Sequence, residues 1–105
     1  MKKLSIIFCT VPGDGSADNI AEKLVKEKLV ACVNILPGIK SIYHWNNEIC
    51  FDEENLLVIK TLETHVDKVF DFIKKNHPYD TPERINISVS NVGDDYLNWA
   101  NNYIK

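Results

Sequence analysis

The apolar positions of this chain fall into short runs whose period changes along its length. Residues Lys3 to Thr10 are β-branched and aromatic, too few for a helix and closed by Pro12-Gly13, which predicts a strand with apolar side chains on both faces. Ala17, Ile20, Ala21, Leu24 and Val25 then recur at helical spacing, with Glu22, Lys23, Lys26 and Glu27 opposite. They predict a helix from about Ala17 to Leu29 with Ser16 as its N-cap. Ala31 to Leu36 reads as a second strand, stopped by the turn pair Pro37-Gly38. From Ile39 to Cys50 the pattern alternates, with Ser41, Tyr43 and Trp45 on one side and Lys40, Ile42 and His44 on the other. Asn46-Asn47 suits the tip of a hairpin, since asparagine tolerates positive φ.

Asp52-Glu53-Glu54 reads as an acidic, solvated turn, and Leu56-Leu57-Val58-Ile59 as a strand buried on both faces. Thr64 offers an N-cap for a helix carrying Val66, Val69, Phe70 and Ile73, which runs to about Asn76 and is ended by Pro78. Two prolines stiffen the loop Pro78-Tyr79-Asp80-Thr81-Pro82. Ile85, Ile87 and Val89 alternate with Asn86, Ser88 and Ser90 in a last strand, and Asp94-Asp95 open a C-terminal helix.

The order β-α-β-β-α-β plus a trailing helix predicts an α+β fold, the split β-α-β or ferredoxin-like arrangement with an extended central hairpin and an extra C-terminal helix. Two helices cover one face of such a sheet. The strands at 3–10 and 56–59 are apolar on both sides, so the other face needs a cover, and a second copy of the chain is the simplest one. An obligate homo-oligomer is expected.

Length and charge narrow the picture. The 105 residues, 45% of them hydrophobic and 26% charged, form a single domain over 1–105 with no internal repeat. Twelve Lys and Arg against 15 Asp and Glu leave a net charge of -3, and Arg84 is the one arginine, so nucleic acid is not an expected partner. No stretch approaches the length of a membrane span, and the apolar run after Lys2-Lys3 is too short for a secretory signal. Cys9, Cys32 and Cys50 form an odd set with no C-x-x-C pair; a reducing, cytoplasmic setting is expected.

The motifs are more specific than the totals. Ala31-Cys32-Val33-Asn34-Ile35, Pro37-Gly38-Ile39, Ser41-Ile42-Tyr43, Trp45, Glu54, Leu56-Leu57, Ile59-Lys60-Thr61, His77-Pro78-Tyr79, Pro82-Glu83, Gly93, Tyr96-Leu97 and Trp99 resemble the CutA divalent-cation-tolerance family in order and spacing over nearly the whole chain. The resemblance implies the ferredoxin-like fold, a homotrimer, and an architecture similar to the PII signalling proteins. It also implies a role in tolerance to divalent cations, notably copper, with no catalytic reaction. By the same resemblance, copper would be held by Cys9, before Thr10, and by His77, before Pro78. Asn76 stands where the family has a further histidine, and an amide is a poor ligand for such a metal.

Each candidate has a plainer role. Cys9 is equally a small apolar residue at a strand end, and His77 a helix-terminal imidazole favoured by the helix dipole. Cys32 reads as core, and His44 and His65 as solvent-facing. Tyr43, Trp45, Tyr79 and Trp99, with Lys60 and Glu83 as charged groups, line a small-molecule cleft between subunits or else anchor the subunit interface. The alternative to a metal-tolerance protein is therefore a PII-like sensor or scaffold that binds a small molecule or protein at the subunit boundary. An acylphosphatase-like enzyme is disfavoured, because no phosphate-binding loop with an arginine lies near the first strand.

Overall fold

The computed structural model describes residues 2–105. Strand β1 (Leu4–Pro12) leads into helix α1 (Ser16–Lys26), then the long strands β2 (Cys32–Trp45) and β3 (Glu48–Leu62). One 3-10 turn (Glu63–His65) precedes helix α2 (Val66–Asn76), followed by the short strand β4 (Ile85–Ser88) and helix α3 (Asp94–Tyr103). The four strands lie in the order β2-β3-β1-β4 and every neighbouring pair is antiparallel. This is the ferredoxin-like α+β arrangement: α1 and α2 each link two strands of like direction, the antiparallel strand between them splits the pair, and α3 trails the last strand.

Register decides what each face carries, because alternate residues of a strand point to opposite faces. Ile7 sits opposite Ile59 and Cys9 opposite Leu57. With Val11 these side chains pack against Ala17, Ile20 and Leu24 of α1 and Val69 and Ile73 of α2, all buried. Burial of this set outweighs any local preference as the source of helix stability. On the other face Ile6 and Phe8 meet Lys60 and Val58 on one side and Ile87 and Ile85 on the other. Ile6, Phe8 and Val58 are only half-buried, and Ile85 and Ile87 are exposed. The helices leave this face open over its middle.

Beyond Glu54, where β1 ends opposite it at Pro12, β2 and β3 pair only with each other and form a two-stranded arm. Asn46 and Asn47 take φ of 51 and 62 at its tip, the left-handed pair that a tight hairpin requires. Trp45, Ile42 and Phe51 on the arm are 54%, 66% and 71% exposed.

Several local expectations are corrected. Pro37-Gly38 does not stop the strand: the two residues bulge opposite Asn55 between the Leu36–Leu56 and Ile39–Glu54 pairs, with Gly38 at φ +70, and pairing resumes. Asp52-Glu53-Glu54 is no turn but the middle of β3, opposite Ser41, Lys40 and Ile39. Ser16 is the first residue of α1 rather than its cap; Gly15 holds that position at φ +94, and Asp14 Oδ1 accepts from the Ser16 N–H at 3.0 Å and from its hydroxyl. Helix α1 ends at Lys26, because Lys28 adopts a left-handed φ of 59 and Leu29 N–H returns to the Leu24 carbonyl. Thr64 lies in the 3-10 turn and does not cap α2. His65 is half-buried rather than solvent-facing: its Nδ1 accepts from the Thr64 hydroxyl and its Nε2 donates to the Lys105 carbonyl at 2.9 Å, tying the chain end to the start of α2.

Candidate functional site

A cavity of about 590 Å³ opens at the root of the arm. One wall is the sheet: Thr10 from the end of β1, Ser41, Tyr43 and Trp45 from β2, and Asp52 and Glu54 from β3. These residues share the open face by register, so two-residue periodicity alone brings them together. The other wall is the loop between α2 and β4, which contributes Tyr79, Asp80, Thr81 and Glu83. That loop is held from behind. Pro78 and Pro82 limit its backbone, Lys74 Nζ donates to the Asp80 carbonyl, and Arg84 donates to the Phe70 carbonyl at 3.2 Å while its guanidinium lies 5.6 Å from the Phe70 ring centroid.

One phenol–carboxylate bond crosses the cavity and a second runs along its sheet wall. Tyr79 Oη donates to Glu54 Oε2 at 3.1 Å, and Tyr43 Oη donates to Asp52 Oδ2. Glu54 is 6% exposed. The Tyr79 hydroxyl is pushed up to about 12 by burial and then by the Glu54 bond, and that of Tyr43 to about 12 chiefly by its bond to Asp52. The Glu83 carboxyl is raised by burial and by the neighbouring Glu54. Carboxylates thus crowd a partly dried space with phenols as donors.

Cys9 and His77 meet below this wall, at one carbonyl. The His77 ring is buried; its Nδ1 accepts from the Tyr79 N–H at 3.0 Å, so the ring proton sits on Nε2 and is donated to the Thr10 carbonyl at 2.8 Å. The ring also packs 4.8 Å from that of Tyr79. The Cys9 thiol points at the same Thr10 carbonyl at 3.8 Å, on the helix side of the sheet. Burial, then the charge of Glu83, pushes that thiol up to about 12. Asn76 is turned away, donating to the Phe72 carbonyl of its own helix. Among the described residues no three His, Cys, Asp or Glu side chains converge in a way that could hold a metal ion.

The structure therefore gathers Tyr43, Trp45, Tyr79 and Glu83 around one cavity and brings Cys9 and His77 together behind it. It places two other candidates elsewhere. Lys60 donates to Asn34 Oδ1 across the β2–β3 pair, and Trp99 packs on α3 between Tyr96 and Tyr103, with centroids 5.4 and 5.7 Å away. Sequence reasoning missed Asp52 and Glu54 as lining residues because their run was read as a turn. No two-residue period marks them, because the run is polar at every position from Asp52 to Asn55 and apolar at every position from Leu56 to Ile59; only its pairing with β2 puts Asp52 and Glu54 on the cavity wall.

A ferredoxin-like sandwich with a long hairpin arm, and a carboxylate–aromatic cavity at its root, defines the class of this protein. Comparison with known proteins is specific. A family model described as CutA1 divalent ion tolerance protein matches residues 5–103, and the chain belongs to that family. The chloroplastic protein CutA of Arabidopsis thaliana is 39% identical over 97 residues, 92% of this chain and 53% of that protein. The chain thus spans about half the length of the plant relatives it matches. The divalent-cation tolerance protein CutA of Salmonella newport is 36% identical over 96 residues, 91% of this chain and 84% of that one. Among solved structures, CutA from Xylella fastidiosa superposes with a TM-score of 0.95 at 40% identity, covering 98% of this chain and 99% of that one. CutA1 from Oryza sativa gives 0.95 at 38%, covering 98% and 94%.

Proposed function

We propose that this protein serves divalent-cation tolerance as a non-enzymatic homotrimer that takes up copper or another divalent cation weakly. The observation that carries the self-association is the apolar surface the chain leaves bare: Ile85 and Ile87 beside half-buried Ile6, Phe8 and Val58 on the sheet, and Ile42 and Phe51 facing each other on the arm. A domain of this size does not ordinarily leave such a surface to water, and the likeness to CutA proteins supports three copies. The expected result of light scattering on the eluting protein is a trimer; a monomer would overturn the reading.

Weak uptake suits the Cys9–His77 pair. A metal there must displace a thiol proton held by burial and both hydrogen bonds of the imidazole before it gains two ligands. Titration with Cu(II), and with Cu(I) under reducing conditions, tests the assignment. Equal uptake by wild type and by a Cys9→Ala/His77→Ala variant would discard it. Three cysteines without disulfides suit a reducing, cytoplasmic compartment; the chloroplastic and periplasmic names belong to the relatives that carry them. Among the described residues no helix is long and apolar enough to cross a membrane.

The cavity favours a second reading, that of a PII-like protein binding a small molecule at the subunit boundary. It rests on the three aromatic rings of Tyr43, Trp45 and Tyr79 facing one concave space beside the bare arm. A ligand found in that space would support it, and a cavity filled by the neighbouring subunit would count against it.

A further inference from the structure

We propose that the cavity at the root of the arm takes an organic ammonium, a protonated primary amine carried on a small apolar body. The inference deepens the second reading and rests on the cavity being a ligand site. Its first ground is charge. Among the described residues of this chain, the charged side chains that line the space are Asp52, Glu54, Asp80 and Glu83, with no lysine, arginine or histidine. The nearby cations are occupied elsewhere: Lys74 on the Asp80 carbonyl, Arg84 on the Phe70 carbonyl, Lys60 on Asn34. Among the described residues the ion pair present is Lys26–Glu22, remote from the cavity on α1.

The second ground is burial. Glu54 is more than nine-tenths buried, yet its partner among the described residues is one phenol and no cation. A carboxylate so far removed from water is ordinarily matched by a positive charge. The Glu83 carboxyl is raised by burial and then by the charge of Glu54, and an inserted cation would relieve that repulsion.

The walls choose the kind of cation. With the hydroxyls of Tyr43 and Tyr79 committed to Asp52 and Glu54, those carboxylates are held in place, and the phenol rings with Trp45 offer faces that attract an ammonium. Among the described residues no set of three ligands converges on a bare metal ion here, and such an ion would leave most of about 590 Å³ unfilled. A carbon skeleton fills it. Phosphates and carboxylates are repelled.

Calorimetric titration of the full chain at low ionic strength tests this, using benzylammonium with phenylacetate and benzyl alcohol as charge-reversed and neutral matches. The expected result is saturable binding of benzylammonium and none of phenylacetate. Glu54→Gln and Glu83→Gln should each weaken binding by about tenfold or more, and Trp99→Phe should leave it unchanged. Glu83 stands at the open rim, so its variant keeps the test sound even if the Glu54 variant unfolds. Undiminished benzylammonium binding by Glu83→Gln overturns the proposal. Saturable phenylacetate binding that Trp45→Ala abolishes overturns the ammonium class while leaving the cavity a ligand site. No saturable response to any of the three compounds overturns both readings, as would follow if a second copy already filled the space.

Discussion

His77 donates from Nε2 to the Thr10 carbonyl at 2.8 Å, joining residues 67 apart in sequence and locking the end of α2 to the end of β1. Its other nitrogen holds the Tyr79 backbone, and Tyr79 in turn holds Glu54. One imidazole therefore sets the position of the cavity's loop wall. His77→Ala leaves the part-buried Tyr79 N–H without its partner and the Thr10 carbonyl with only the weak Cys9 thiol contact, and should cost about 1–3 kcal/mol in urea unfolding. NMR of the ring nitrogens should show a single Nε2–H tautomer at neutral pH; the opposite tautomer would break this account.

Cys9 provides a pH-dependent stability measurement. Its folded-state value of about 12 lies above that of an unfolded cysteine, so between these limits the unfolded chain loses a proton that the folded chain keeps. Stability must then fall as pH rises. From about pH 9 to about pH 11 the wild type should lose about 2 kcal/mol relative to Cys9→Ala. For the same reason the thiol should resist alkylation at mildly alkaline pH until denaturant opens the core, as mass spectrometry of the alkylated chain would reveal.

Glu83 carries a carboxyl raised by burial and by Glu54. The folded chain therefore binds more protons than the unfolded one just above the ordinary carboxylate range, and stability is lost as pH rises through that window. Glu83→Gln removes the loss. Denaturation should find the variant the more stable at neutral pH, with the advantage shrinking in acid; a variant less stable at neutral pH would contradict the assignment.

The bare sheet face makes a sharper prediction than mass alone. Ile87 is 42% exposed, beside Ile6 in the sheet, and a charge there costs the isolated subunit little. Ile87→Asp should shift the protein to smaller species on light scattering with its far-UV circular dichroism retained. An unchanged trimer would move the contact surface elsewhere.

The tip of the arm offers a small gain. Asn47 sits at φ 62, in the second of two left-handed positions, where glycine carries no side-chain penalty. Asn47→Gly should raise stability by a few tenths of a kcal/mol, up to about 1, in thermal unfolding.

What was legible in the sequence was whatever neighbouring residues encode. The short β-branched and aromatic run of β1, the two-residue alternation of β4, the helical spacing in α1 and α2, and the Asn46-Asn47 tip all express local backbone preference and a choice of buried face. Together with the family motifs they settled the element order and the fold. Turn propensity is local as well, and there it misled: Pro37-Gly38 and the acidic run 52–54 look like chain reversals, but pairing between β2 and β3 carries the chain through both, as a bulge and as plain strand. That continuity puts Asp52 and Glu54 on the cavity wall. Tertiary structure alone decided the condition of the chemical groups. The Cys9 thiol keeps its proton because α1 and α2 cover it, the His77 ring is committed because Thr10 and Tyr79 flank it, and within one chain Lys60 and Trp99 lie apart from the cavity that Tyr43, Trp45, Tyr79 and Glu83 line. Burial and hydrogen-bond partners depend on contacts between residues far apart in the chain, which no local pattern of residues records.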